Sequence, residues 1–226
     1  CMTLEGTVTL FEHKSVKFAV KAGKILKDIS REIPKGSRTV FFGENGCGKT
    51  TLMRLIARLY KPTAGSITQF IDEKFRQKPR GSRAWYKKVG VVYQNPDYQL
   101  FMPTVEKEIN FGALSPEYAE HIAELFGIKH LWHRHPQSLS EGQKRRVSIA
   151  AVVACQPEVL LLDEPTVGQD YDDLCQMGEI LNQLHEQTGN TMITITHDVR
   201  CAEALCDKAY LIADGVVQKR GGKELV

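Results

Sequence analysis

The chain has 226 residues, a hydrophobic share of 42% and a formal net charge of +3. That is enough apolar material for one large domain with a real core, and too little positive charge to argue for nucleic acid. The longest unbroken apolar run, residues 149–155, falls far short of the roughly 20 residues of a membrane span. No signal-peptide pattern is visible, and the cysteines, which show no C-x-x-C spacing, read as free thiols in a reducing compartment.

Residues 16–20 and 25–33 run or alternate apolar and predict strands, and Pro34-Lys35-Gly36 predicts a turn into a strand over 39–42. Residues 43–50 then read GENGCGKT. The pattern G-x-x-x-x-G-K-[ST] between a strand and a helix is a phosphate loop. Gly43, Glu44, Asn45, Gly46, Cys47 and Gly48 would turn successive backbone N–H groups inward as an anion nest, with Thr51 just inside the helix. Lys49 can reach the β- and γ-phosphates of a nucleotide, and the Thr50 hydroxyl can ligate Mg²⁺. The helix that starts at Lys49 is expected to run to about Tyr60, where Lys61-Pro62 stops it.

A strand follows over 67–71, and then a stretch rich in Lys and Arg over 73–88. This stretch reads as a solvated loop or as a contact for a partner or lipid headgroup. Residues 89–93 predict a strand; 105–111, 116–126 and 141–155 predict helices. Val159–Leu162 is a continuous apolar run of the kind buried on both faces of a parallel sheet. A helix over 172–187 closed by Gly189-Asn190, a strand over 191–196 and a helix over 198–205 come next. Strands over 208–213 and 216–218 flank Asp214-Gly215, a hairpin signal. Strands alternating with helices around a phosphate loop predict an α/β core, with the helical stretch at about 95–155 inserted as a second lobe.

The strand 159–162 delivers Asp163 and Glu164 at its C-terminal end, where open α/β sheets bind ligands. Asp163 suits the Mg²⁺ shell and Glu164 suits a general base that deprotonates attacking water. Leu139–Gln143 reads LSEGQ; Ser140 fits the N-cap of the next helix, with Glu141 in its first turn. His130, His133 and His135 lie close in sequence but lack a fitting carboxylate or Cys set for metal. Trp85 and Tyr86 beside Lys87-Lys88 are too little for nucleic acid.

The order phosphate loop, Gln94, LSEGQ, VLLLDE, His197 resembles the nucleotide-binding subunit of ATP-binding cassette (ABC) transporters over roughly residues 16–220. The resemblance implies a P-loop NTPase core with an antiparallel β subdomain and an inserted α-helical subdomain, one nucleotide-binding domain over residues 1–226. It implies that GENGCGKT is Walker A and VLLLDE is Walker B, and that Gln94 is the Q-loop glutamine, on Mg²⁺ and water at one end and a membrane partner at the other. Asp170 would be the D-loop acid and His197 the switch histidine on the γ-phosphate. Ser140, Gly142 and Gln143 would complete the ATP site of a facing subunit. The cofactors implied are ATP and Mg²⁺, the latter on Thr50, Gln94 and Asp163. The partners implied are transmembrane transport subunits and a second ATPase, as homodimer or heterodimer, on the cytoplasmic face of a membrane; nucleic acid is not among them.

QNPDYQLF, residues 94–101, resembles the corresponding segment of energy-coupling factor (ECF) ATPases, which power uptake of vitamins or cobalt. Asp97, Gln99, Leu100 and Phe101 would then lie in the groove that grips the transmembrane partner. The alternative is a non-transport ABC ATPase such as an Fe–S assembly ATPase. Glu141 stands where the signature has glycine, and would either weaken one composite site or sit turned away from it. Phe18 and Val20 both lie near the position of the usual adenine-stacking aromatic.

Overall fold

A computed structural model describes residues 15–22, 26–60, 64–69 and 88–222. Most of the basic loop expected over 73–88 lies outside the described residues, and so do the side chains of Phe18 and Val20. The strands are β1 (Ser15–Ala22), β2 (Leu26–Pro34), β3 (Arg38–Phe42), β4 (Ala64–Gln69), β5 (Val89–Val92), β6 (Val159–Asp163), β7 (Thr191–Thr196), β8 (Lys208–Ala213) and β9 (Val216–Gly221). The α-helices are α1 (Lys49–Ile56), α2 (Val105–Asn110), α3 (Pro116–Leu125), α4 (Glu141–Ala154), α5 (Tyr171–Thr188) and α6 (Val199–Leu205).

Among the described residues the strands join one sheet in the order β4-β1-β2-β9-β8-β3-β7-β6-β5. β5, β6, β7, β3 and β8 run parallel, whereas β1 is antiparallel to β2 and β4, and β9 is antiparallel to β8. The central parallel strands β6 and β7 are buried along their whole length, as the apolar run of β6 requires. Val40, Leu160, Leu162 and Met192 pack into a core shared with α2–α6. Phe41, Leu161, Ile193 and Ile195 pack into a second core under α1, with Leu52, Met53, Leu55 and Ile56.

Capping chemistry fixes the helix starts. Thr104, Ser115, Ser140, Asp170 and Asp198 each accept a backbone N–H at the start of α2, α3, α4, α5 and α6. α1 stops at Ile56 rather than near Tyr60. Arg58 takes a left-handed backbone (φ 60°), and Leu59 N–H turns back to the Arg54 carbonyl. The chain therefore leaves the helix before Lys61-Pro62 could end it.

Phe41 is fully buried and stacks on Tyr210 with ring centroids 5.2 Å apart. Phe41→Ala is expected to lower unfolding free energy by about 3–5 kcal/mol, read by urea denaturation. A loss under about 1 kcal/mol would show that this core re-packs freely.

Candidate functional site

Parallel register sets the site. Phe42 on β3 pairs with Thr196 on β7, and Ile195 on β7 pairs with Asp163 on β6. The C-terminal ends of these strands are therefore level, and the loops beginning at Gly43, Glu164 and His197 open at one mouth of the sheet.

The phosphate loop keeps the backbone its glycines permit. Gly43 has φ 153°, and a Cβ there would sit 2.2 Å from the Ile212 carbonyl oxygen; any side chain would collide with backbone. Gly48 precedes α1 at φ 104°, again a conformation for glycine. Lys49 is buried, and its ammonium donates to the carbonyls of Gly43 and Glu44 at 2.8 Å each. Cys47 Sγ lies 4.0 Å from the same nitrogen. Glu44, Asn45 and Gly46 are exposed at the loop's rim, and Thr51 is half-buried in the first turn of α1.

Thr50 Oγ1 donates to Asp163 Oδ1 at 3.4 Å. Asp163 is 3% exposed. Burial, and then the neighbouring charge of Glu164, raise its carboxyl to about 6. Such a carboxylate is short of positive charge. Among the described residues no group of three or more His, Cys, Asp or Glu could cage a metal ion. A hydroxyl and one charge-starved carboxylate instead fit Mg²⁺, which takes few protein oxygens and shares the rest with phosphate and water.

Glu164 is 5% exposed and has a left-handed backbone (φ 50°). Its N–H donates to the Ile195 carbonyl at 2.8 Å. Oε2 accepts from Thr196 Oγ1 at 3.0 Å and from His197 N–H at 3.2 Å, and Oε1 lies 2.8 Å from His197 Nδ1. Its carbonyl accepts from Val167 N–H at 3.3 Å and from Arg145 Nη1 at 3.2 Å. Glu164 and His197 are thus in direct contact. Thr196 and Arg145 went unread in the sequence. A threonine ending a strand just before His197 was the signal for Thr196; nothing local marked Arg145.

The LSEGQ segment caps α4 with a complete capping box: Ser140 Oγ accepts from Gln143 N–H, and Gln143 Oε1 accepts from Ser140 N–H. Ser140 is exposed, and a Cβ on Gly142 would meet nothing within 4 Å. Glu141 is paired with Lys144 at 3.4 Å, and Lys144 also holds Asp97 at 2.9 Å. Glu141 therefore shares a single cation with Asp97, and its own side chain stays exposed. Asp170 caps α5 through Asp173 N–H at 2.9 Å.

Gln94 is exposed just past β5. Beyond it, Pro96–Tyr98 forms a 3₁₀ turn capped by Asn95. Gln99 spans inward, its amide donating to the Ser148 carbonyl at 2.9 Å. Phe101 is 67% exposed and packs edge-on against Phe111 with centroids 5.3 Å apart. Both line a groove of about 760 Å³ with Gln99, Leu114 and Val152. Leu100 is not in it: it is 5% exposed and belongs to the core shared with α2–α6. Leu100 is turned inward, which leaves Phe101 at the surface. Among the three histidines, His133 lies 3.5 Å from Glu106 and His135 accepts from Gln137 N–H.

Residues 26–167 match the family model described as ABC transporter. The chain is 40% identical over 204 residues to the energy-coupling factor transporter ATP-binding protein EcfA2 of Lactococcus lactis subsp. lactis (strain IL1403), covering 86% of this chain and 70% of that protein. It is 36% identical over 210 residues to a Bacillus subtilis (strain 168) protein provisionally named HMP/thiamine import ATP-binding protein YkoD; this covers 91% of the chain but only 38% of that relative's length. Among solved structures, cbiO1 of Clostridium perfringens, part of the ABC transporter complex cbiONQ, superposes with a TM-score of 0.79 at 30% identity over 95% of this chain and 90% of that one. The ATP-binding cassette MJ0796, a dimer in a post-hydrolysis state with ADP and Pi, gives 0.77 at 25% identity over 92% and 98%. A phosphate loop, a paired Asp-Glu and a contacting histidine at one sheet mouth, together with these matches, identify the chain as a member of the ABC transporter family and one of its ATP-hydrolysing subunits.

Proposed function

We propose that this chain is the ATPase of an ECF-type importer that takes up a vitamin or a metal ion. It works as one nucleotide-binding domain in a dimer of ATPases, peripheral on the cytoplasmic face of the membrane and docked on a membrane-embedded partner. The observation that carries the reading is the direct Glu164–His197 contact beside the phosphate loop, with the Phe101 groove on the neighbouring lobe. The names of the relatives supply the transport class.

In this reading the loop amides of Gly43–Thr51 bind the phosphates, and Lys49 exchanges its weak thiol contact for a phosphate oxygen. Thr50, Asp163 and Gln94 would hold Mg²⁺, which when bound neutralises phosphate charge. Glu164 takes the proton of attacking water, since its carboxylate is already oriented by Thr196 and His197. His197 sits between that carboxylate and the γ-phosphate. Ser140, Gly142 and Gln143, exposed or half-buried at the start of α4, meet the triphosphate held by the facing subunit, with Asp170 at the same interface. Positioning and charge neutralisation do most of the catalysis. Among the described residues no helix is long and apolar enough to cross a membrane. In this reading the work of closure is delivered to a partner through the groove.

Glu164→Gln should retain ATP binding while turnover falls by about 10²–10⁴-fold. A steady-state ATPase assay checks this, and a fall of less than about threefold would remove Glu164 as the base.

Asp163→Asn separates stability from function. The folded carboxyl titrates at about 6, above its unfolded value near 3.9. The native state therefore holds the proton to higher pH, and ionising Asp163 costs stability as pH rises between these values. The variant should melt higher than the parent at pH 7.5 in EDTA, each 1 kcal/mol being worth about 2–4 °C in a domain of this size. The gain should shrink toward pH 5. An equal or lower melting temperature at pH 7.5 would contradict the desolvation account.

Phe101→Ala should leave ATP binding to the chain intact. Its affinity for the transmembrane partner should fall by about 2 kcal/mol, roughly thirtyfold. Copurification at the parental level would place the docking surface elsewhere.

A further inference from the structure

Along α4 the consecutive basic residues Lys144, Arg145 and Arg146 reach different elements. Lys144 holds Asp97 of the docking segment. Arg146 holds Asp173 and Gln176 on α5. Arg145 turns into the protein: it is 7% exposed, and its guanidinium donates to the Glu164 carbonyl at 3.2 Å. Burying a guanidinium on a single carbonyl is an expensive way to make a helix contact. Desolvation lowers the Arg145 pKa, against the raising influence of Glu141, Asp163 and Glu164. The charge therefore sits in the field of the acids at the sheet mouth.

The carbonyl it holds is unusual. Glu164 has a left-handed backbone at φ 50°, a conformation that is costly for a non-glycine residue and persists only where the surroundings over-determine it. The Glu164 N–H and carboxylate are fixed by β7 and His197. Its carbonyl is fixed by Val167 from the following turn and by Arg145. Arg145 is the one contact in this set that comes from the LSEGQ helix. It lies one and a half turns past Ser140, about 7–8 Å along the axis, so a shift of the helix end that meets the facing subunit is transmitted to the Glu164 backbone.

We propose that Arg145 is a positioning residue for hydrolysis, holding the Glu164 carbonyl and so tying the LSEGQ helix to the base of the same subunit. Each subunit's engagement with its neighbour's nucleotide thereby adjusts the base over its own nucleotide. The inference rests on the reading of Glu164 as the base. A misplaced base slows the chemical step and leaves nucleotide binding alone.

The test is a double-mutant cycle on the full chain in its purified assembly, with Arg145→Gln, Glu164→Gln and both together. Turnover, the KM for ATP and single-turnover rates are measured. Arg145→Gln is expected to lower kcat about tenfold or more with KM within about twofold, and to add nothing in the Glu164→Gln background. Undiminished kcat, or an equal loss in both backgrounds, would overturn the proposal, since a general packing defect acts whether or not the base is present. If Arg145→Gln does not fold, as judged by loss of ATP binding, Arg145→Lys goes through the same cycle. A loss confined to the background with Glu164 supports the positioning role, and no loss or an equal loss overturns it. Failure of Glu164→Gln itself to slow the parent would instead strike the base assignment, which distinguishes the two readings.

Discussion

Everything at the site depends on the parallel register of β3, β7 and β6. Pairing Phe42 with Thr196, and Ile195 with Asp163, puts the ends of the three strands on one line. A slip of one residue would turn every strand side chain to the other face. It would move Val40 and Phe41 out of their separate cores, so register is enforced by burial on both sides of the sheet. The same pairing brings a loop of backbone N–H groups, a pair of carboxylates and a histidine together from segments far apart in sequence. The hydrophobic cores thus specify the geometry of the polar site, although they contribute no atom to it.

The site carries local costs against that background. Asp163 is a buried carboxylate beside a second one, and its raised pKa shows that the fold tolerates rather than favours its charge. Glu164 adopts a backbone that a non-glycine residue rarely takes. Both are held because their polar atoms are occupied: Asp163 by Thr50, and Glu164 by contacts from β7, the following turn and α4. A carboxylate fixed in this way needs little reorganisation, which is the physical content of preorganisation and what the role proposed for Glu164 requires. On the other lobe, Lys144 joins Asp97 of the 3₁₀ turn after β5 to Glu141 of the LSEGQ segment, so the start of α4 and the segment 96–98 share a charge network.

Much of this was legible in the residues. The strand–loop–helix around GENGCGKT, the buried strand ending in Asp163 and the N-cap at Ser140 follow from periodicity and capping rules, and the structure carries each of them. The helix at Lys49 was read too long because Pro62 looked like the stop, whereas the left-handed Arg58 ends it earlier. The sequence places Leu100 in the partner groove with Phe101, but Leu100 closes the 3₁₀ turn and packs into the core, and only tertiary packing decides which of two adjacent apolar residues is inside. Arg145 is illegible for the same reason: its partner, Glu164, is 19 positions away, and no local pattern marks a contact that tertiary packing creates.

The central claim is that one ATP is held by the phosphate loop of one copy and the LSEGQ segment of its neighbour, with Glu164 and His197 facing the γ-phosphate. The most direct measurement is an experimental structure of the wild-type chain with Mg²⁺ and a non-hydrolysable ATP analogue. The account predicts the triphosphate cradled by Gly43–Thr51 with Lys49 on it, the metal on Thr50 and Asp163, and Ser140 of a second ATPase subunit closing the site. A nucleotide seated away from Lys49, or one bound with Glu164 and His197 both turned from the γ-phosphate, would contradict it.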